Sequence, residues 1–446
     1  MKGQVKTMKR TVFGKSLALL LALVMILSCM SAVAFAAELK GSGTEADPYI
    51  IENAEQLSAL SELSEVGYVS LADDIDMSGT EPQTSFIKKL TGAFMGYGHK
   101  IKNLSLKGGK GSYSYTSGSV IVYTGLIGEI SGNATVRDII FENASITEGI
   151  DNYNYAGVIA GLISDGSNVT IDNCIVNGKI ESNSATTNTY LGGIAGSASG
   201  SINDKTTLSV KNTVSSVAIT AAKSNYAGTI LGVSQYYTTL SVENCAILGD
   251  ISGSAQYAGG VLSWVNSTNG SLSLKNTYLG AKIKGSKQYG VCYSRSSFPI
   301  ESKNFYYDTD KNPSPSSWSK FEMLYSGSVS AEGKTTDELK ALPLEGFEVR
   351  EGEFDNYPVP VWNPTEPPAP PEPAYSCTVK FEGTEDGTVR LFKGDEEIIP
   401  ENGEYLLSEK GEYKYEVTNL SDYYDVKDQT FTVGDEDNET VKTVWV

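Results

Sequence analysis

Between residues 41 and 310, apolar positions come in short runs broken every few residues by Ser, Asn, Thr and Gly. They never keep the long 3.6-residue period of an amphipathic helix, so the pattern predicts strands and turns. One run, Tyr155-Ala156-Gly157-Val158-Ile159-Ala160-Gly161, recurs. Its copies are Tyr123-Thr124-Gly125-Leu126-Ile127-Gly128, Tyr190-Leu191-Gly192-Gly193-Ile194-Ala195-Gly196, Tyr226-Ala227-Gly228-Thr229-Ile230-Leu231-Gly232 and Tyr257-Ala258-Gly259-Gly260-Val261-Leu262, with Tyr289-Gly290-Val291 as a degraded sixth. The tyrosines are 32, 35, 36, 31 and 32 residues apart, a period that signals a repeat architecture.

A second marker keeps step: Ile101-Lys102-Asn103-Leu104, Val136-Arg137-Asp138-Ile139, Ile171-Asp172-Asn173-Cys174, Val210-Lys211-Asn212-Thr213, Val242-Glu243-Asn244-Cys245 and Leu274-Lys275-Asn276-Thr277. A third short run follows, as in Gly178-Lys179-Ile180 and Gly249-Asp250-Ile251. About three β-rich runs per period predict a β-solenoid in which each coil adds parallel strands about 4.8 Å from the last, so that six or seven coils make a rod of roughly 30 Å. Glycines then turn corners, the recurring Asn forms an interior or corner hydrogen-bonding ladder, and Ile or Val at the fifth place of the tyrosine run fills the core. Both parities of that run carry small residues, so it leaves open which face the tyrosines take. A stacked column of rings is the expectation over a ligand-binding stripe. Cys174 and Cys245 hold equivalent places two coils apart, about 9 to 10 Å, beyond disulfide reach.

These runs resemble the GLUG-type repeats of bacterial surface proteins, which implies a right-handed parallel β-helix. The segment Gly41-Ser42-Gly43-Thr44-Glu45-Ala46-Asp47-Pro48-Tyr49-Ile50-Ile51, followed by Ala54-Glu55-Gln56-Leu57, is similar to that group's opening. Its first coil is matched by Leu71-Ala72-Asp73-Asp74-Ile75-Asp76-Met77 and by the stretch from Gly92 to Ile101, and its closing strand by Tyr357-Pro358-Val359-Pro360-Val361-Trp362. Asn53 and Gln56 make a capping box for a short helix whose Leu57, Leu60 and Leu63 would cover the open end of the solenoid. An uncovered sheet end would invite aggregation.

The expected organisation is a signal peptide at residues 1–36, a β-helix at 37–310, its C-terminal flank at 311–362, a Pro-rich linker at 363–374 and a small β-sandwich at 375–446. Six prolines in the twelve linker residues favour a stiff extended segment. Beyond it, alternation predicts strands at 377–381, 388–392, 411–417, 429–433 and 441–446. Glu412-Tyr413-Lys414-Tyr415-Glu416-Val417 with Phe431-Thr432-Val433 is similar to Ig-like or carboxypeptidase-regulatory-like sandwiches, modules that usually space or bind.

Charge and address narrow the partners. Lys2, Lys6, Lys9, Arg10 and Lys15, an apolar stretch at 17–27 and Ala34-Phe35-Ala36 have the layout of an export signal. A lipoprotein anchor at Cys29 is the weaker alternative, because Leu27 fits a lipobox poorly. The net charge of −19 becomes −24 once the five basic leader residues are removed, which disfavours nucleic acid and anionic membranes as partners. Cys174, Cys245, Cys292 and Cys377 are scattered without a CxxC, so neither a zinc ribbon nor a disulfide framework is expected.

Catalytic constellations are scarce. His99 is the single histidine, which excludes an HExxH zinc site. Some GLUG-bearing proteins resemble zinc peptidases of the IgA-protease type, and this chain lacks that catalytic motif. Asp73, Asp74 and Asp76 are the one tight acidic cluster of the solenoid, and alternation makes them solvated or corner residues rather than a glycosidase pair. Asp308, Asp310 and Asn312 begin like a calcium loop, but Pro313 and Ser319 break it. No cofactor or metal site is therefore expected. Among the 26 tyrosines, Tyr113, Tyr115, Tyr236 and Tyr237 fall in polar loops where exposed rings would stack on sugar faces. The resulting expectation is an extracellular or cell-surface, non-enzymatic protein that binds glycans or host or matrix proteins. The alternatives are a polysaccharide-active β-helix lyase or hydrolase, and a structural spacer.

Overall fold

Strands Tyr153–Gly157, Ala160–Ile163, Asn168–Asp172 and Ile175–Ser182 make one turn of a coil, and Thr189–Gly192, Ala195–Ala198, Thr206–Lys211 and Val214–Ala221 make the next. The two turns lie in parallel register, with Tyr155 opposite Tyr190, Val169 opposite Leu208 and Ile175 opposite Val214. Repetition of this pairing builds a parallel β-helix. The computed structural model describes residues 39–108, 113–114, 120–148, 153–183, 189–266, 269–294, 298–313, 329–367, 376–382, 387–394, 396–400, 404–418, 426–438 and 440–446. Residues 1–38, which include Cys29 and the expected signal peptide, and Tyr115 and Ser319 lie outside these residues.

Each coil carries four strands rather than the three expected, because the tyrosine run breaks at its own glycine. A side chain at Gly157 would stand 2.5 Å from Ala195 Cα and 2.6 Å from the Ala160 carbonyl, so the chain folds over on itself there and starts a new face. The tyrosine strands consequently form a seven-stranded sheet of their own, while the other three columns merge into a sheet of 24 strands. Ile127, Ile159, Ile194, Ile230 and Val261, the fifth residues of the runs, are fully buried in one continuous core.

The Asn marker is a corner. Asn103, Asp138, Asn173, Asn212, Asn244 and Asn276 all adopt left-handed backbone, with φ between 44° and 59°, a conformation that Asn and Asp tolerate better than other side-chain-bearing residues. Their side chains bond from coil to coil: Asn276 Nδ2 donates to Asn244 Oδ1 at 2.9 Å, Asn244 Nδ2 to Asn212 Oδ1 at 3.1 Å, and Asn173 Nδ2 to Asp138 Oδ1 at 2.5 Å.

At the N-terminal end the helix Ala54–Ala59 begins with Asn53 Oδ1 accepting the Gln56 N–H at 2.9 Å. Leu57 and Leu60 are buried in the core, and Leu63 packs against it. The C-terminal flank does something the sequence does not announce. Residues 339–362 run back along the outside of the solenoid, and Leu339, Tyr357 and Val359 bury an outward apolar stripe made by Ile175, Val214, Ala246 and Tyr278. Polar contacts fix this strap: Tyr278 OH donates to the Pro358 carbonyl at 2.6 Å, and Tyr357 OH to Asp308 Oδ2 at 2.5 Å. Beyond Trp362 the chain stays docked, with Thr365 N–H and Oγ1 both donating to Asp138 Oδ2.

Residues 367–446 form a separate compact unit. Antiparallel strands Glu396–Ile398, Thr388–Lys393, Gly411–Thr418 and Val426–Val433 make one sheet, and Tyr405–Leu407, Cys377–Glu382 and Thr440–Trp445 make the other. Their facing sides share a core of Cys377, Val379, Leu391, Tyr413, Tyr415 and Val417. The two three-residue strands, Glu396–Ile398 and Tyr405–Leu407, were not legible from alternation because three residues carry too little of it.

Candidate functional site

Alternation within the tyrosine strands settles which way the rings point. Ala156, Leu191, Ala227 and Ala258 face the solenoid core, so the preceding tyrosines project to the outside. There Tyr123, Tyr155, Tyr190, Tyr226 and Tyr257 stack along the axis with successive ring centroids 5.9, 5.4, 4.7 and 5.5 Å apart. The column stands in the angle between its own sheet and the next column of strands. The outward residues of that neighbouring column are, in register, Lys89, Glu129, Leu162, Ser197, Val233, Trp264 and Tyr293.

This second series changes character along the axis, and the change creates a site. Toward the C-terminal coils, Val233, Trp264 and Tyr293 fill the angle, and Tyr226 and Tyr257 are buried against them. Trp264 lies 4.6 Å from the Tyr226 ring and Tyr293 lies 4.2 Å from Tyr257. Toward the N-terminal coils the series carries no aromatic ring, and the angle opens into a groove of about 890 Å³ lined by Tyr123, Tyr155, Ile202, Gln235, Tyr236 and Tyr237. That volume lies in the range of small-molecule sites. Tyr236 is 52% exposed and Ile202 68% exposed, while Gln235 Nε2 donates to Tyr155 OH and Ser197 Oγ, each at 3.0 Å. Lys89, Glu129 and Asp165 also line the groove, with Lys89 Nζ 3.9 Å from a Glu129 carboxylate oxygen.

The sixth tyrosine copy is a correction. Tyr289 pairs with Gly259 and Gln288 with Ala258, so the residue in register with Tyr257 is Lys287. Its ammonium lies 5.0 Å over the Tyr257 ring and closes the column with a cation–π contact. The 32-residue interval to Tyr289 was a coincidence of spacing, produced by a turn two residues shorter than the motif implied.

Of the four tyrosines singled out from sequence, Tyr236 and Tyr237 line the groove. Tyr113 belongs to a short strand, Tyr113–Ser114, that pairs antiparallel with Val120–Thr124 at the edge of the tyrosine sheet. Trp264 and Ile202 were missed: nothing in their local pattern distinguishes them, and only the register across coils shows that one ends the groove and the other borders it.

The remaining polar candidates serve the fold. Burial pushes the Asp74 carboxyl up, but Lys102, the Lys100 N–H and His99 together hold it below the ordinary value. Asp76 Oδ1 accepts from Asn103 Nδ2 at 2.8 Å. His99 Nδ1 stands 3.6 Å from Asp74, so this group ties the first coil to the second. Asp308 accepts the N–H groups of Asp310 and Lys311 and the Thr336 hydroxyl, and Asn312 bonds back to Ala281 and Ile283. Burial raises the thiols of Cys174, Cys245 and Cys292 to about 12, so all three stay protonated and unreactive.

Among the described residues no helix is long and apolar enough to cross a membrane. No family profile matches the chain, and the GLUG resemblance stands on the residues quoted above. Over 172 residues, 35% of its length, the chain is 31% identical to Halomucin of Haloquadratum walsbyi. The match spans only 2% of that much longer protein. A Bacteroides ovatus structure named as a candidate immunoglobulin A1 protease aligns with 72% of the chain and 95% of its own, at 19% identity and a TM-score of 0.45.

Proposed function

We propose that this is an extracellular, non-enzymatic recognition protein whose aromatic groove binds a glycan chain. The observation that carries the proposal is the groove itself: Tyr236, half exposed, lines it together with Tyr123, Tyr155 and polar side chains that include Gln235, Ser199 and Ser201. Exposed rings beside polar side chains suit sugars, whose apolar faces stack on aromatic rings while their hydroxyls bond to the rim. The similarity to part of Halomucin supports an extracellular setting. A polysaccharide-active enzyme is the second reading, because Glu129 and Asp165, contributed by successive coils, share the groove with Lys89.

A glycan-array screen of the chain, run beside a reducing-sugar release assay on each ligand found, tests both. Binding without release, weakened about 3- to 10-fold by Tyr236→Ala at unchanged melting temperature, is the expected result. Release that disappears in Glu129→Gln would transfer the groove to the enzymatic reading. Silence in both assays would leave a spacer.

A further inference from the structure

Inside the solenoid, at the corner where the longest strand of each coil gives way to the tyrosine strand, five polar side chains are buried together. Thr124, Glu148, Asn154 and Thr189 are fully buried, and Ser182 is 3% exposed. Register makes them neighbours: Glu148 is the strand partner of Ser182, and Asn154 of Thr189. Thr124 lies opposite Ala156, one diagonal step from Asn154, and close enough to Glu148 to draw its carboxyl down slightly. Seven side-chain atoms of this group, six of them oxygens, make no well-formed hydrogen bond among the described residues: both Glu148 oxygens, both Asn154 termini and the three hydroxyls, with the Thr124 hydroxyl only approaching the Glu148 carboxyl. Donors and acceptors so close together would normally pair with one another. That they do not leaves their polar atoms available to a shared partner. Gly108 admits the Glu148 carboxylate to this corner, because any side chain there would collide with it.

We propose that this corner is a cation site, in which Glu148, Asn154, Thr124, Ser182 and Thr189 hold a hard, oxygen-coordinated cation, calcium or sodium, within the solenoid. The donor set contains a carboxylate, an amide oxygen and hydroxyls and no nitrogen base or thiolate, which suits those ions and not zinc or copper. A buried carboxyl is either protonated or compensated by a positive charge, and among the described residues no charged side chain contributes to the environment of Glu148. Waters alone would satisfy the hydrogen bonds and leave an ionised Glu148 uncompensated.

The test uses the full chain, stripped with a chelator, dialysed into choline chloride at pH 8 and then titrated with CaCl2 or NaCl. Melting temperature and bound metal after dialysis are read together. The expected result is a rise of about 3–6 °C near saturation, absent in choline. One equivalent of retained calcium identifies the divalent ion, and a rise in sodium alone identifies the monovalent one. Glu148→Gln should abolish the rise while melting at or above the stripped wild type, since it removes the uncompensated charge. Thr124→Val, which keeps shape, should weaken binding about tenfold and serves if the first variant does not fold. Equal melting in all three salts with no metal retained, or an ion-dependent rise that persists in Glu148→Gln, would overturn the proposal.

Discussion

Asn244 shows how much one residue carries in a ladder. Its backbone is left-handed at φ 52°, its amide nitrogen donates one coil back and its oxygen accepts from one coil forward. Asn244→Ala strains the backbone and breaks both bonds, an expected loss of about 2–4 kcal/mol in urea unfolding. Asn244→Gly relieves the strain and keeps the bond loss, so it should recover about 1 kcal/mol of that. A glycine variant no better than alanine would mean that the bonds, and not the conformation, select Asn. Glu148 makes the opposite kind of prediction. Burial raises its carboxyl to about 7, whereas the unfolded chain releases that proton at the ordinary value near 4.5. Between these values the folded state binds more protons, so without calcium or sodium stability should fall as pH rises from 4.5 through 7, by roughly 3 kcal/mol in all. Urea midpoints from pH 5 to 8.5 would show the slope in wild type and its absence in Glu148→Gln.

At the scale of elements, the outward tyrosines and the neighbouring outward column form a second, smaller core separate from the main one. Trp264 is its keystone, touching the rings of Tyr190, Tyr226, Tyr257 and Tyr293. Trp264→Ala should cost about 3–5 kcal/mol and extend the groove, a change readable as new iodination of Tyr226 and Tyr257. The period, the Asn corners and the buried fifth residues were legible in the sequence because each is a local rule repeated in step. The groove was legible only in part. Tyr236 and Tyr237 stand out as aromatic residues in a polar loop, but the opening depends on Leu162 and Ser197 being smaller than Trp264 and Tyr293 two to four coils away. Such a comparison needs the register first. The slip at Tyr289 shows how two missing turn residues defeat a spacing argument.

For the whole solenoid, the strap matters as much as the coils, since it ties late coils to early ones across neighbours that otherwise touch only in sequence. Tyr357→Phe removes the hydroxyl that donates to buried Asp308, and should lower stability by about 1–3 kcal/mol. Hydrogen exchange should show faster opening of 339–362 before the coils themselves respond. The docking of Thr365 on Asp138 has a further consequence for reach. The chain joins the solenoid through the strand Tyr49–Ile51 and leaves beside Asp138, next to Asn133–Arg137, three strand spacings up the stack. The two connections therefore lie on the order of 15 Å apart along the axis, and coils added beyond them leave that separation unchanged. Lengthening this solenoid would change the surface it presents rather than the distance between its entry and its exit.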